Sequence, residues 1–227
     1  MGFFVSRLIR NLVLIYAIFL GVQYVLRIKS YTFSPKEFRA AAANAQGADG
    51  AVVLKGQLRR IYGHLIVDQP EWVPLSGGGL NLRAQFLHAS ITEYIALISA
   101  PFQTNGRGGF HFTNSTCVVL KGQVTRLPDG ASEGKREVFS PGQNFRHGQF
   151  ESFFYELDTD SSVACYGRGL VPVSGFWTTL GSLSNGDVVG LARLSLNYAQ
   201  SVYEQTALHL AAIFAHYKSK ISQKVEL

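Results

Sequence analysis

The stretch Val163-Ala164-Cys165-Tyr166-Gly167-Arg168-Gly169-Leu170-Val171-Pro172 decides how this chain is read. Its apolar run with Tyr166 favours a buried strand. Gly167 and Gly169 then release the backbone, and Pro172 bars a central strand from continuing past it. Cys165 has one intramolecular partner available, Cys117, in Ser115-Thr116-Cys117-Val118-Val119-Leu120, a second apolar, β-branched run. The rest of the chain reads as a device for bringing these two strands together and holding them at a membrane.

The net charge of +6 invites a nucleic-acid reading until it is placed. Residues 1–40 carry six basic side chains against Glu37, whereas the remaining 187 carry 15 basic and 14 acidic ones. The body is nearly neutral and the excess flanks an apolar segment, so the pattern is that of a membrane anchor and no nucleic-acid partner is expected. Leu12 to Leu26 is free of charge, and counted from Leu8 the segment reaches 19 residues. At ~1.5 Å per residue this is just enough for ~30 Å of hydrocarbon. Arg7 and Arg10 precede it and Arg27 and Lys29 follow, so the basic-residue rule leaves orientation open. A cleaved signal peptide lacks its small-residue cleavage site after Leu26. A mitochondrial presequence is permitted by the arginines and the lack of early acids. The retained single anchor is the reading adopted.

Four segments follow from composition and punctuation. Residues 1–30 are the anchor helix. Residues 31–50 are a helical connector, opened by Ser34 as cap and Pro35 at the first helical position. Residues 51–183 alternate short strands and turns, the pattern of a β-barrel or sandwich. Within them, Leu82 to Ser99 fits either a helix or two strands. Residues 184–227 are amphipathic helices, with Ser184 or Asn185 as cap and Asp187 in the first turn.

Three blocks carry a family resemblance: Leu87-His88-Ala89-Ser90-Ile91-Thr92-Glu93-Tyr94; Glu137-Val138-Phe139-Ser140-Pro141-Gly142 with His147-Gly148; and Tyr166-Gly167-Arg168-Gly169-Leu170-Val171-Pro172. In this order they resemble the family of the fungal sterol C8-C7 isomerase and the animal sigma non-opioid receptor, over roughly residues 68–215. The resemblance implies a mainly β fold with helices: one N-terminal transmembrane helix, a cupin-like β-barrel around a hydrophobic pocket, and two C-terminal helices lying on the membrane. It also implies an endoplasmic reticulum location, self-association and a pocket-lining Tyr94, with Tyr166 as a further pocket residue.

The family pattern places one carboxylate immediately before the Tyr-Gly-Arg-Gly block and a second on the preceding buried strand. Together they move protons on a sterol ring or clamp a ligand amine. Here those positions fall on Cys165 and Cys117. A buried thiol starts near pKa ~8.5 and rises further in apolar surroundings, so it neither protonates an alkene nor carries charge to meet a cation. Paired replacement implies contact, either as a disulfide or as two reduced thiols; the sequence leaves both open. A metal site would need His88 and His147 to converge on the cysteines, and neither metal nor cofactor is expected.

Among the remaining candidates, Glu93 reads as a tie for neighbouring backbone, His88 and His147 as structural hydrogen-bonders, and Arg168 as the anchor of a turn. The resulting expectation is a catalytically inactive, membrane-anchored member of this family. It would act as a structural or accessory subunit of a membrane complex, with room for a membrane lipid or sterol. Its partners would be other membrane-protein subunits or further copies of itself, in the endoplasmic reticulum or the mitochondrial inner membrane. The alternatives are an active sterol isomerase using Glu93 or Glu156, and a sigma receptor-like sterol or lipid binder.

Overall fold

A computed structural model of the chain describes residues 2–130 and 135–225, with side chains from Arg7 onward and without those of 209, 212–213 and 215–225. The chain divides into two compact units, residues 1–32 and 33–227. The first is helix α1 (Gly2–Ile28). Its Arg7–Ile28 stretch is long and apolar enough to cross a membrane, and none of its side chains is buried. Tyr31 closes the unit by donating its hydroxyl to the Leu26 carbonyl at 2.6 Å.

The second unit opens with α2 (Pro35–Asn44), where the sequence signals are met. Ser34 is extended, its hydroxyl accepts from the Glu37 amide, and Pro35 begins the helix. Next comes α3 (Gly50–Tyr62). Residues 51–62 were expected to open the barrel as strand and turn, and they are helical instead. The adjacent β-branched Val52 and Val53 favour extended structure, yet both are exposed. The buried positions are Leu54 and Leu58, with Ala51 and Tyr62 packed beside them. That three-to-four spacing is a helical stripe, and burial of the stripe outweighs local β propensity.

The strands begin only at Val73. They are β1 (Val73–Gly77), β2 (Leu80–Ala89), β3 (Glu93–Ala100), β4 (Thr104–Arg107), β5 (Thr113–Lys121), β6 (Val124–Pro128), β7 (Glu137–Phe139), β8 (Asn144–His147), β9 (Phe153–Leu157) and β10 (Ser161–Gly169). The ambiguous stretch 82–99 is the β2–β3 hairpin, turned at Ser90, whose hydroxyl accepts from the Glu93 amide at 3.0 Å. All pairings are antiparallel. One sheet runs β1-β2-β3-β10-β5-β8 and the other β4-β9-β6-β7.

The six-stranded sheet is buried on both faces where β3, β10 and β5 run side by side. Alternate residues point to opposite faces of a strand. Ala164 and Tyr166 on β10 and Val118 and Leu120 on β5 join one core with Phe33, Phe38, Leu54 and Leu58 from the preceding segments. Val163, Cys165, Cys117 and Val119 join a second core that lies between the sheets with Val124 and Leu157.

Two helices complete the unit, α4 (Val171–Ser184) and α5 (Val188–Val225). The first starts 13 residues before its expected boundary at 184, because Pro172 both stops the strand and sits in the first turn of α4. The α5 cap is Asp187, whose Oδ1 accepts from the Gly190 amide at 2.8 Å, rather than Ser184 or Asn185. Tyr198 and Gln205 fasten α5 to the body through the carbonyls of Ser90 and Leu65. Phe176, Leu180, Leu183, Val188, Val189 and Leu196 remain exposed on the two helices.

Candidate functional site

Between the sheets lies a cavity of about 170 Å³, lined mostly by apolar side chains. The six-stranded sheet contributes Tyr94, Ser115, Cys117, Val163 and Cys165 to its wall; the four-stranded sheet contributes Arg107, Val124, Tyr155 and Leu157. Trp177 and Thr178 reach it from α4.

Cys117 and Cys165 stand directly opposite each other across β5 and β10. Their Cα atoms are 4.0 Å apart and their sulfur atoms are joined at 2.03 Å. This is the close pair of an antiparallel ladder, where side chains approach most nearly. The link closes 48 residues of chain. It is buried, with Cys117 6% and Cys165 3% exposed.

Tyr94 lines the cavity as expected, and its hydroxyl meets the Ser115 hydroxyl at 2.8 Å. Its ring lies over Gly167, the residue opposite it on β10; a Cβ there would come within 2.1 Å of Tyr94 Cε1. Tyr166 does not line the cavity. It follows Cys165, so the pleat turns it to the other face of β10, where its hydroxyl donates to the Phe33 carbonyl at 2.9 Å and to Glu93 Oε2 at 3.1 Å. The pocket role expected for Tyr166 is therefore replaced by a structural one.

Glu93 is 2% exposed, and the same carboxylate oxygen accepts from the Phe33 amide at 3.2 Å. It ties backbone, as the sequence suggested. Glu156 lies on β9 between the cavity-facing Tyr155 and Leu157, and its carboxylate accepts from Gln103 Nε2 at 3.2 Å. Neither acid lines the cavity, and no aspartate or glutamate does among the described residues. Arg168 faces Glu93 in the β10–β3 register, and its guanidinium lies 5.8 Å from the centre of the Tyr166 ring.

His88 and His147 do not converge. His88 Nδ1 bonds the Leu65 carbonyl at 2.9 Å on the outer side of the sheet. His147 is in the cavity wall, with Nε2 2.9 Å from the Glu151 carbonyl and Nδ1 2.9 Å from the Tyr155 hydroxyl. A carbonyl only accepts, so Nε2 carries the proton and the Tyr155 hydroxyl donates to Nδ1 of the neutral ring. Among the described residues, no three His, Cys, Asp or Glu side chains gather to hold a metal.

Sequence reasoning missed His111, Ser115, Tyr155 and Trp177. His111 packs edge-on against His147, ring centres 4.8 Å apart. Burial and then the neighbouring His147 push the His111 pKa down to about 4. Burial likewise lowers His147 and raises the Tyr94 and Tyr155 phenols. At neutral pH the imidazoles are therefore uncharged and the phenols keep their protons. The Tyr155 signal was present in the alternation of Phe153, Tyr155 and Leu157. Trp177 had none, because residues 171–183 read as barrel.

These features define a class first: one candidate membrane span among the described residues, and a two-sheet barrel with a partly open apolar cavity between its sheets. The family follows from comparison. The model described as "ERG2 and Sigma1 receptor like protein" matches residues 9–209, and the chain belongs to that family. The sigma non-opioid intracellular receptor 1 of Xenopus tropicalis is 27% identical over 191 residues, covering 82% of this chain and 86% of the receptor. That of Danio rerio is 28% identical over 206 residues, covering 86% and 89%. Among solved structures, an RmlC-like cupin from Shewanella frigidimarina aligns with a TM-score of 0.38 at 17% identity, over 47% of this chain and 90% of the cupin. A protein titled a predicted oxalate decarboxylase, from Thermotoga maritima, aligns at 0.37 and 17% identity, over 45% and 93%. The mainly β architecture with helices expected from sequence is the one found: two antiparallel sheets, flanking helices and an apolar helix at the N-terminus.

Proposed function

We propose that this chain is a catalytically inactive member of its family that serves as a structural or accessory subunit of a membrane complex, with a neutral lipid in its barrel. One observation carries the reading: the cavity wall holds the joined Cys117 and Cys165 and no carboxylate. Moving a ring double bond needs a strong acid to protonate carbon and negative charge beside the cation that results. Clamping an amine needs the same charge. A disulfide supplies neither, and the surrounding imidazoles and phenols are neutral.

The exposed apolar side chains of α4 and α5 support the membrane apposition that the family resemblance implies. The disulfide supports a barrel facing an oxidising compartment. Both the endoplasmic reticulum lumen and the mitochondrial intermembrane space meet that condition.

Expression in a cell lacking its own sterol C8-C7 isomerase is expected to restore no isomerisation; restoration would remove the inactive reading. Affinity purification in mild detergent is expected to bring down other subunits in fixed ratio. A lone homo-oligomer would remove the subunit role.

A further inference from the structure

The cavity is small, and most of its polar side chains are bonded to one another or to backbone. Its volume of about 170 Å³ lies beside the ~150 Å³ of an engineered cavity that takes one benzene, and below the ~300–1,000 Å³ of pockets for drug-sized ligands. Four fused sterol rings do not fit such a space. The Tyr94 phenol is bonded to Ser115, the Tyr155 hydroxyl to His147, His111 Nε2 to the Gly108 carbonyl, and the Trp177 indole to the Arg107 carbonyl. Among the described residues Arg107 is the only charged side chain in the lining, and it is paired with Asp129. An ammonium would find no anion in this wall.

We infer that this cavity takes the hydrocarbon end of a single acyl chain, headgroup outside, and excludes both amines and the sterol nucleus. The inference rests on the lipid-occupied barrel proposed above and names the class of occupant. An acyl chain is slender, flexible and uncharged, and asks nothing of the wall but apolar contact. Leu80, Val124, Phe145, Leu157, Val163 and the disulfide supply that contact, and they form one buried cluster. Trp177 closes the α4 side. It is held there by Gly109, whose φ of +68° and lack of Cβ let the backbone lie against the indole; a Cβ would come within 2.1 Å of Cδ2.

Trp177 is also a built-in reporter, because the only other tryptophan is Trp72, packed outside the cavity against the first core and Arg83. The test uses the full chain in detergent, with Trp72→Phe as background. Energy transfer is read from Trp177 to cis-parinaric acid, a polyene acyl chain, and to dehydroergosterol, a fluorescent sterol. Saturable transfer to the acyl probe at one per chain is expected, with none to the sterol. Val163→Phe fills the cavity and should weaken the acyl probe by about tenfold. Leu157→Ala enlarges it and should strengthen that probe.

Saturable sterol transfer, or acyl transfer indifferent to both substitutions, would overturn the inference. If Val163→Phe does not fold, Leu157→Ala still decides, since an unchanged acyl signal overturns the inference. Complementation and co-purification do not read the cavity. An active isomerase or a solitary oligomer that still takes the acyl probe would sink the subunit reading and leave this one standing.

Discussion

The two faces of β10 are built from neighbouring residues and do opposite things. Tyr166 looks outward into a packed core where its hydroxyl and the Glu93 carboxylate hold the Phe33 backbone. Cys165, one residue earlier, looks inward onto a hollow. The outer face is dense, polar at one point and satisfied. The inner face is apolar, and there a covalent bond joins β5 to β10 in addition to their ladder and packing. Glu93 thus lies on the side where it organises backbone, and among the described residues the side that faces the cavity has no acid. Charge in this sheet supports architecture.

That contrast is open to attack from both faces. The largest effect should come from the inner one. Replacing Cys117 and Cys165 together with alanine releases a loop of 48 residues, which chain entropy values at about 4 kcal/mol. Urea unfolding should show that loss, and adding reductant to the parent chain should reproduce it. On the outer face, Glu93→Ala strands the Phe33 amide, while the Tyr166 hydroxyl keeps the Phe33 carbonyl, and should cost about 1–3 kcal/mol, with binding of the acyl probe to folded protein unchanged. Loss of that probe with Glu93→Ala would show that the two faces are coupled. Tyr166→Phe removes one hydroxyl and should cost about 1 kcal/mol.

The smallest effect near neutrality is that of pH. The folded His111 pKa is depressed to about 4 against 6.5 for an ordinary imidazole, and burial also lowers His88 and His147. Below pH 6.5 the unfolded chain binds protons that the folded one refuses, so stability is full above that value and falls as pH drops toward 4. Thermal midpoints across pH 4–8 should fall on the acid side, and His111→Gln should flatten part of the slope.

Local chemistry made much of this legible. Ser34-Pro35 announced α2 and the uncharged N-terminal run announced α1; the family resemblance put the two cysteines in contact and left open whether they are bonded. Glu93 was read as a tie for neighbouring backbone from its place in the family block, and its carboxylate accepts from the Phe33 amide. What stayed hidden depended on tertiary context. Val52-Val53 pointed to a strand, and only the core beneath Leu54 and Leu58 makes that stretch a helix. Tyr166 was assigned to the pocket because it neighbours Cys165, although the pleat separates neighbours. Trp177 and His111 enter the cavity from an α4 helix and an irregular segment whose placement no periodicity encodes.

The Tyr94 ring can lie flat against β10 only because position 167 carries a hydrogen where other residues carry carbon. Adding one methyl, as in Gly167→Ala, would lever the phenol off the strand and into the hollow. A substitution at this one backbone position can therefore change the volume between the sheets without replacing any side chain of the cavity wall.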